Sequence, residues 1–244
     1  SAGQTLLVRD RSGQHVSPTE HGELLTHYAR RLLNLSREAR EALSTEASVV
    51  PVRLGVPEDF DAARMASMLS GFVSARPEAR LETVSGMSTD LRRQLEVGEI
   101  DIALIKREAG SGDCHASWPE PLVWVSGQQQ DLNLDTLPLA LFPQGCIYRQ
   151  RATRALDKAK RSWRVAFGSH SLTGIQAAVT SGLGLSILPV SAVLDSHRVC
   201  TELPSVPPSE LALISASERL GPTHQGLIEF LRDEISLPHH RGSI

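Results

Sequence analysis

The chain has 244 residues, 41% hydrophobic and 22% charged, the composition of an ordinary soluble globular protein with room for one large domain or two small ones. Its formal net charge of −3 does not mark it as a bulk polycation for nucleic acid, and no apolar run approaches the length of a membrane span. The three cysteines, Cys114, Cys146 and Cys200, form no Cys-x-x-Cys pair and are odd in number, which fits a reduced cytoplasm, as does the absence of a signal-peptide pattern.

Residues 6–9 are apolar enough for a short strand, Asp10, Ser12 and Gly13 are turn residues, and Gln14-His15-Val16 returns as a second strand. Ser17-Pro18-Thr19-Glu20 then announces a helix, with Ser17 as cap, Pro18 at the first helical position and Glu20 completing a capping box. A basic two-stranded wing running into a long helix is a piece of a DNA-binding module. Along that helix Leu25, Tyr28, Leu32, Leu35, Ala39 and Ala42 alternate steps of three and four, the narrow seam of a helix that pairs with another helix, against the plainer reading of a helix lying on its own domain. Residues 1–40 hold six Arg against four acidic residues, so the positive end is the one carrying the wing, with Arg9 and Arg11 on it.

Residues 44–51 read as a connection, after which strand and helix alternate. Strands are expected at 52–56, 79–84 and 100–105, with helices at 61–75 and 89–97, the rhythm of a parallel sheet wrapped by helices. Trp118-Pro119-Glu120-Pro121 breaks the pattern, and 122–125 is an extended crossing. A second series follows: strands at 137–142, 163–167 and 185–188, helices at 149–160 and 171–181, and a short strand near 199–203. Pro204, Pro207 and Pro208 mark a second crossing before a strand at 211–215 and a closing helix at 221–235.

Enzyme signatures are missing. The sequence has no Gly-x-x-x-x-Gly-Lys phosphate loop and no Gly-x-Ser-x-Gly elbow, and Gly182-Leu183-Gly184 reads as a helix C-terminus rather than a dinucleotide fingerprint. The nine His show no metal-ligand spacing, so neither metal nor cofactor is expected. Cys146 precedes a helix with several Arg, a setting in which a thiol can become reactive, against the plainer reading of a small residue in a cleft loop.

The stretch Leu7-Val8-Arg9-Asp10 followed by Val16-Ser17-Pro18-Thr19-Glu20-His21-Gly22-Glu23 resembles the end of the winged helix-turn-helix domain in LysR-type transcriptional regulators, with His21 where the family usually has Ala. Gly184-Leu185-Ser186-Ile187-Leu188-Pro189 is similar to a recurrent mark of the family's effector domain. The resemblance implies an α/β fold of two Rossmann-like subdomains of periplasmic-binding-protein type, preceded by a wing remnant and a linker helix. It divides the chain into a wing at 1–16, a linker and hinge at 17–50, subdomain I at 51–121 and 210–236, and subdomain II at 122–209. The chain would be the effector-sensing, oligomerising part of a longer regulator, partnered by DNA, a small-molecule effector and further copies of itself as homodimer or homotetramer, with Leu25, Tyr28, Leu32 and Leu35 at the dimer seam. A stand-alone two-lobed solute-binding protein is the alternative.

Open α/β sheets bind ligands beyond the carboxyl ends of their strands. The candidate effector residues are therefore Pro57, Glu58, Asp59 and Phe60 after the first strand and Ser85, Gly86 and Ser88 around the second. Phe142, Pro143 and Gln144 open the second half, and Ser169 and His170 follow its next strand. Ser88 and Ser171 are also natural helix caps. Glu58 and Asp59 would repel a carboxylate, which favours an effector that is neutral or carries a donor group.

Overall fold

In the computed structural model, which describes residues 3–9, 16–43, 51–216 and 220–236, strands β1 (Leu7–Arg9) and β2 (Val16–Pro18) pair antiparallel, Leu7 opposite Pro18. Arg11, most of the wing turn and the connection at 44–50 lie outside the described residues. Helix α1 (Glu20–Leu43) follows. It starts two residues later than the Ser17-Pro18 pattern suggests, because Pro18 ends β2. Thr19, not Ser17, serves the helix start: its hydroxyl accepts from the Gly22 N–H at 3.1 Å and donates to the Thr5 carbonyl at 2.7 Å. The Thr19 N–H also donates to the Leu6 carbonyl at 2.9 Å. Gly22 is required by contact, since a Cβ there would lie 1.9 Å from the Leu6 carbonyl oxygen.

Strand β3 (Pro51–Pro57) lies between β4 (Arg80–Gly86) and β5 (Ile102–Arg107), parallel to both. On the far side of β5, β12 (Ser209–Ser215) runs antiparallel, and β6 (Ala116–Glu120), a strand that the proline pattern conceals, closes the edge. The order is β4-β3-β5-β12-β6. All six residues of β5 are buried, which explains why it reads as a continuous apolar run rather than an alternation. Ile102 and Leu104 pack with Met65, Met68 and Phe72 of α2 (Ala62–Ala75) and with Leu227 and Leu231 of α6 (Pro222–Ser236). Ala103 and Ile105 face Leu91 and Leu95 of α3 (Ser88–Glu96) on the other side.

The second lobe repeats this plan. Strand β8 (Thr136–Leu141) runs parallel to β9 (Ser162–Gly168) and, through Leu185, to the chain entering β10 (Ser186–Pro189). Strand β7 (Leu122–Gly127) pairs antiparallel with β10 and with β11 (His197–Val199). The resulting succession β9-β8-β10-β7-β11 matches the first lobe strand for strand. Helices α4 (Ile147–Lys158) and α5 (Leu172–Thr180) cover it. The glycine pair before β10 has two separate duties. Gly182 leaves α5 at φ +75°, and Gly184 lets the chain lie on β8, where a Cβ would meet the Leu139 carbonyl carbon at 2.8 Å.

The two lobes are crossed at Glu120–Leu122 and again just before Ser209. Inside the first lobe, Arg53 of β3 grips Asp101 through its guanidinium, at 2.9 Å to Oδ1, and through its backbone N–H, at 2.8 Å to Oδ2. Burial alone would raise the Asp101 pKa; His224, 3.9 Å away, and the hydrogen bonds from Arg53 outweigh it and hold the carboxyl well below its ordinary 3.8. The folded pKa is depressed, so the contribution is complete above the unfolded value and is lost as pH falls through the folded one. Asp101→Asn should cost about 2–3 kcal/mol, the scale of hydrogen bonds to a charged group. The melting temperature should drop by roughly 4–12 °C at pH 7. The gap should narrow as pH falls below 3.8, as thermal denaturation across pH will show. A gap that widens in acid contradicts the assignment.

Candidate functional site

The carboxyl ends of β3, β4 and β5 and the start of α4 meet where the two lobes face each other. Between them lies a cavity of about 230 Å³. Pro57, Glu58, Asp59, Gly86, Ser88 and Phe142 line it, all expected from the sequence, together with Met87, Thr89, Arg92, Ile105, Lys106, Gly145, Cys146 and Ile147. Phe60 instead lines a broader groove of about 890 Å³, which shares Glu58, Asp59 and Lys106 with the cavity. The other candidates stand apart from the cavity lining. Ser85 is exposed on the edge strand β4, Pro143 is half-buried and Gln144 exposed in the turn before α4. The Ser169 hydroxyl accepts from the Ser171 N–H at 3.0 Å. His170 is exposed at the rim, with Nδ1 3.6 Å from Glu58 Oε2 across the cleft.

The two candidate caps diverge. Ser171 does cap α5, its hydroxyl accepting from the Gly174 N–H at 3.4 Å. Ser88 does not cap α3, where Met87 is the cap residue and makes no side-chain cap bond. The Ser88 hydroxyl accepts instead from the backbone N–H of Lys106 at 2.8 Å and ties α3 to the end of β5.

The group that the sequence reading missed is Lys106. Its ammonium, with the side chain only 5% exposed, lies 3.1 Å from Asp59 Oδ2 and 2.6 Å from Glu120 Oε1. It also donates to the Tyr148 hydroxyl and sits 4.9 Å from the centre of that ring. Tyr148 in turn donates to Glu120 Oε2 at 2.7 Å, and Ser209 donates to the same oxygen at 2.6 Å. Burial alone would push the Lys106 pKa down; Asp59 and Glu120 outweigh it and raise the pKa, so the ammonium stays charged. Burial, with Asp59 and Glu120, holds the Tyr148 phenol well above its ordinary range, so it remains a donor. The cluster joins β5, both interlobe crossings and α4. A signal for it was present: Lys106 is a charged residue directly after the apolar run Ile102–Ile105, at the carboxyl end of a strand, where α/β sheets hold their ligands.

Glu58 is raised by burial, with His170 opposing and the neighbouring Asp59 adding to the shift. Cys146, at the start of α4, does not have the depressed pKa of an activated thiol. Burial first and Asp59 second push it up to about 12. Among the described residues no group of His, Cys, Asp and Glu is arranged to hold a metal ion, and no helix is long and apolar enough to cross a membrane.

Two α/β lobes of matching strand order, crossed twice and enclosing a cavity at their strand ends, define a fold of periplasmic-binding-protein type. Residues 50–236 match the family model described as the LysR substrate binding domain. The chain belongs to the LysR-type family of transcriptional regulators, and residues 50–236 are its effector-binding domain. It is 31% identical over 213 residues to the HTH-type transcriptional regulator DgdR of Burkholderia cepacia, covering 87% of this chain and 68% of that protein. It is 28% identical over 255 residues to the nitrogen assimilation regulatory protein nac of Klebsiella aerogenes, covering 96% and 82%. Against YusT of Bacillus subtilis it is 29% identical, covering 78% of this chain and 66% of that regulator's length. These named regulators disfavour the stand-alone solute-binding alternative. The fold is shared with a single-residue variant of full-length OxyR from Pseudomonas aeruginosa, with a TM-score of 0.61, 23% identity, and 94% and 80% of the two chains covered. It is also shared with the Synechocystis CcmR regulatory domain in complex with 2-PG, with a TM-score of 0.59, 18% identity, and 75% and 96% covered.

The thiols should rank by environment. At pH 8 a thiol with a pKa of about 12 is roughly one part in ten thousand thiolate, and Cys200 is buried while Cys114 is exposed. Iodoacetamide followed by mass spectrometry should find Cys114 modified first in the folded protein, with Cys146 and Cys200 reacting on unfolding. Preferential labelling of Cys146 would show an activated thiol.

Proposed function

We propose that this chain senses a small-molecule effector in the cavity between its lobes and self-associates through α1, as part of a cytoplasmic regulator that binds DNA as a homodimer or homotetramer. The single observation that carries the self-association is the exposed apolar face of α1. Leu25 is 52% exposed, Leu32 67% and Leu35 62%, on a helix of 24 residues that spans about 36 Å. The three leucines span about 15 Å of that length along one face, a contact surface rather than scattered surface leucines. Tyr28, at 53% exposed, lies on the same seam.

The effector reading is supported by the chain's membership of the family and by the concave, mostly apolar cavity at the strand ends, with a few converging polar groups. Its volume suits a ligand smaller than a drug-sized molecule. Arg9, exposed on the wing strand β1, is suited to contact phosphate rather than to read bases. The chemistry asked of the domain is binding alone, with no catalytic step.

Burying one Leu of the seam against a second helix contributes about 1.5–3 kcal/mol, and an Asp in its place opposes association further. Light scattering should therefore find a dimer or larger assembly for the wild type and a lower mass, at the same concentration, for Leu32→Asp. A wild type that stays monomeric at tens of micromolar contradicts the proposal.

A further inference from the structure

We propose that Asp59 is a built-in stand-in for an anionic ligand: with Glu120 and Tyr148 it occupies the Lys106 ammonium from within the chain, so the cavity takes its ligand through a hydrogen-bond donor or a cation rather than through a carboxylate. This rests on the reading of the cavity as the effector site and adds the chemical class of the ligand.

An ammonium has three N–H donors and no acceptor. At Lys106 three acceptors already face it: Asp59 Oδ2, Glu120 Oε1 and the Tyr148 hydroxyl. A carboxylate entering the cavity therefore finds the wall's one buried ammonium fully engaged. It also finds two carboxylates against a single ammonium there, with Glu58 as a third carboxylate lining the cavity. The other cation lining the cavity, Arg92, is on the exposed side of α3. An amine or amide group meets the opposite situation, since acceptor oxygens on Glu58 and Asp59 border the same space.

The two acids of the cluster are not equivalent. Glu120 is fixed from three directions, by Lys106, Tyr148 and Ser209. Asp59 stands in the turn between β3 and α2 and lines both the cavity and the groove. Its side chain is, in effect, an acetate tethered beside the ammonium. Truncating it to Ala leaves Lys106 with one carboxylate, and opens the place of the lost carboxylate group to a small free carboxylate.

The test is chemical complementation of Asp59→Ala. Thermal shift should show a lower melting temperature for the variant and a saturable recovery with acetate, absent with acetamide or with chloride at equal ionic strength. The wild type should show neither effect. In parallel, calorimetric titration of the wild type should find benzylamine bound at least about tenfold more tightly than benzoate, the scale of one opposing charge at a partly exposed site. The preference should shrink or reverse in Asp59→Ala. If that variant does not fold, Asp59→Asn with benzoate carries the same test. A folded Asp59 variant that takes acetate or benzoate no better than the wild type overturns the proposal, as does a wild type that binds benzoate as tightly as benzylamine. Cys146→Trp, which fills the cavity, separates the two readings. Benzylamine binding that survives it means that the cavity is not the ligand site, whereas the acetate response of Asp59→Ala still decides the role of Asp59.

Discussion

A buried ammonium dictates much of how this molecule is put together. Lys106 is carried into the interior by a strand whose every residue is buried, and an unpaired charge there would be prohibitively costly. The chain must therefore deliver counter-charges to that point, and it does so from separate segments: Asp59 after β3 and Glu120 at the end of β6. Tyr148, from the other lobe, completes the shell and donates to Glu120 in turn. The contact is local in space and long-range in sequence. It binds the cavity wall, both crossings and the second lobe into one electrostatic unit. A buried pair of this kind adds little net stability over an apolar substitute but is severely disturbed when one partner is removed. Its value here lies in fixing the relative placement of the parts around the cavity.

Around that point the lobes hold each other by further polar ties rather than by a shared apolar core. The apolar cores fall within one lobe or the other, on the two faces of the first sheet and around the second. Across the cleft, Arg151 donates to Glu108 at 2.6 Å and to the Pro208 carbonyl at 3.1 Å, and His170 faces Glu58 at the rim. Polar interfaces between independently packed units are the kind that re-set when a ligand adds or removes a charge. The repeated strand order gives both lobes the same edge-to-edge plan, so that strand ends from each converge on one opening.

Much of this was legible in the sequence because the signals are local. The parallel series announced itself through apolar runs separated by amphipathic helices. Gly184 and Pro189 framed a strand whose backbone approach to β8 only glycine allows. The wing-to-helix junction was recognisable from Ser17-Pro18-Thr19-Glu20, although the helix start was displaced and Thr19 rather than Ser17 serves it, since Pro18 is compatible with both a helix start and the end of an edge strand. Strand β6 was hidden because Pro119 breaks the usual strand pattern, yet an edge strand tolerates it. Pro57, Glu58, Asp59, Gly86, Ser88 and Phe142 line the cavity, whereas Ser85, Pro143, Gln144 and Ser169 lie on the same segments without lining it. Lys106, Glu120 and Tyr148 were missed for a different reason. Lys106 stands out only as a charge at the end of an apolar run, Glu120 and Tyr148 are ordinary in their own stretches, and only the fold brings residues 59, 106, 120, 148 and 209 together.

Tyr148→Phe isolates the central claim, that one hydrogen-bonded charge cluster couples the lobes, because it removes a single hydroxyl and keeps the ring that packs edge-on to Phe142 at 5.8 Å. Native-state amide hydrogen exchange is the measurement, since it resolves opening segment by segment. Exchange should accelerate at the amides that the two crossings carry, those of Trp118, Glu120, Leu122, Ser209 and Glu210, while the sheet interiors around Leu104 and Leu139 keep their protection. Unchanged crossings, or a uniform loss of protection through both cores, would show that the cluster does not hold the lobes together.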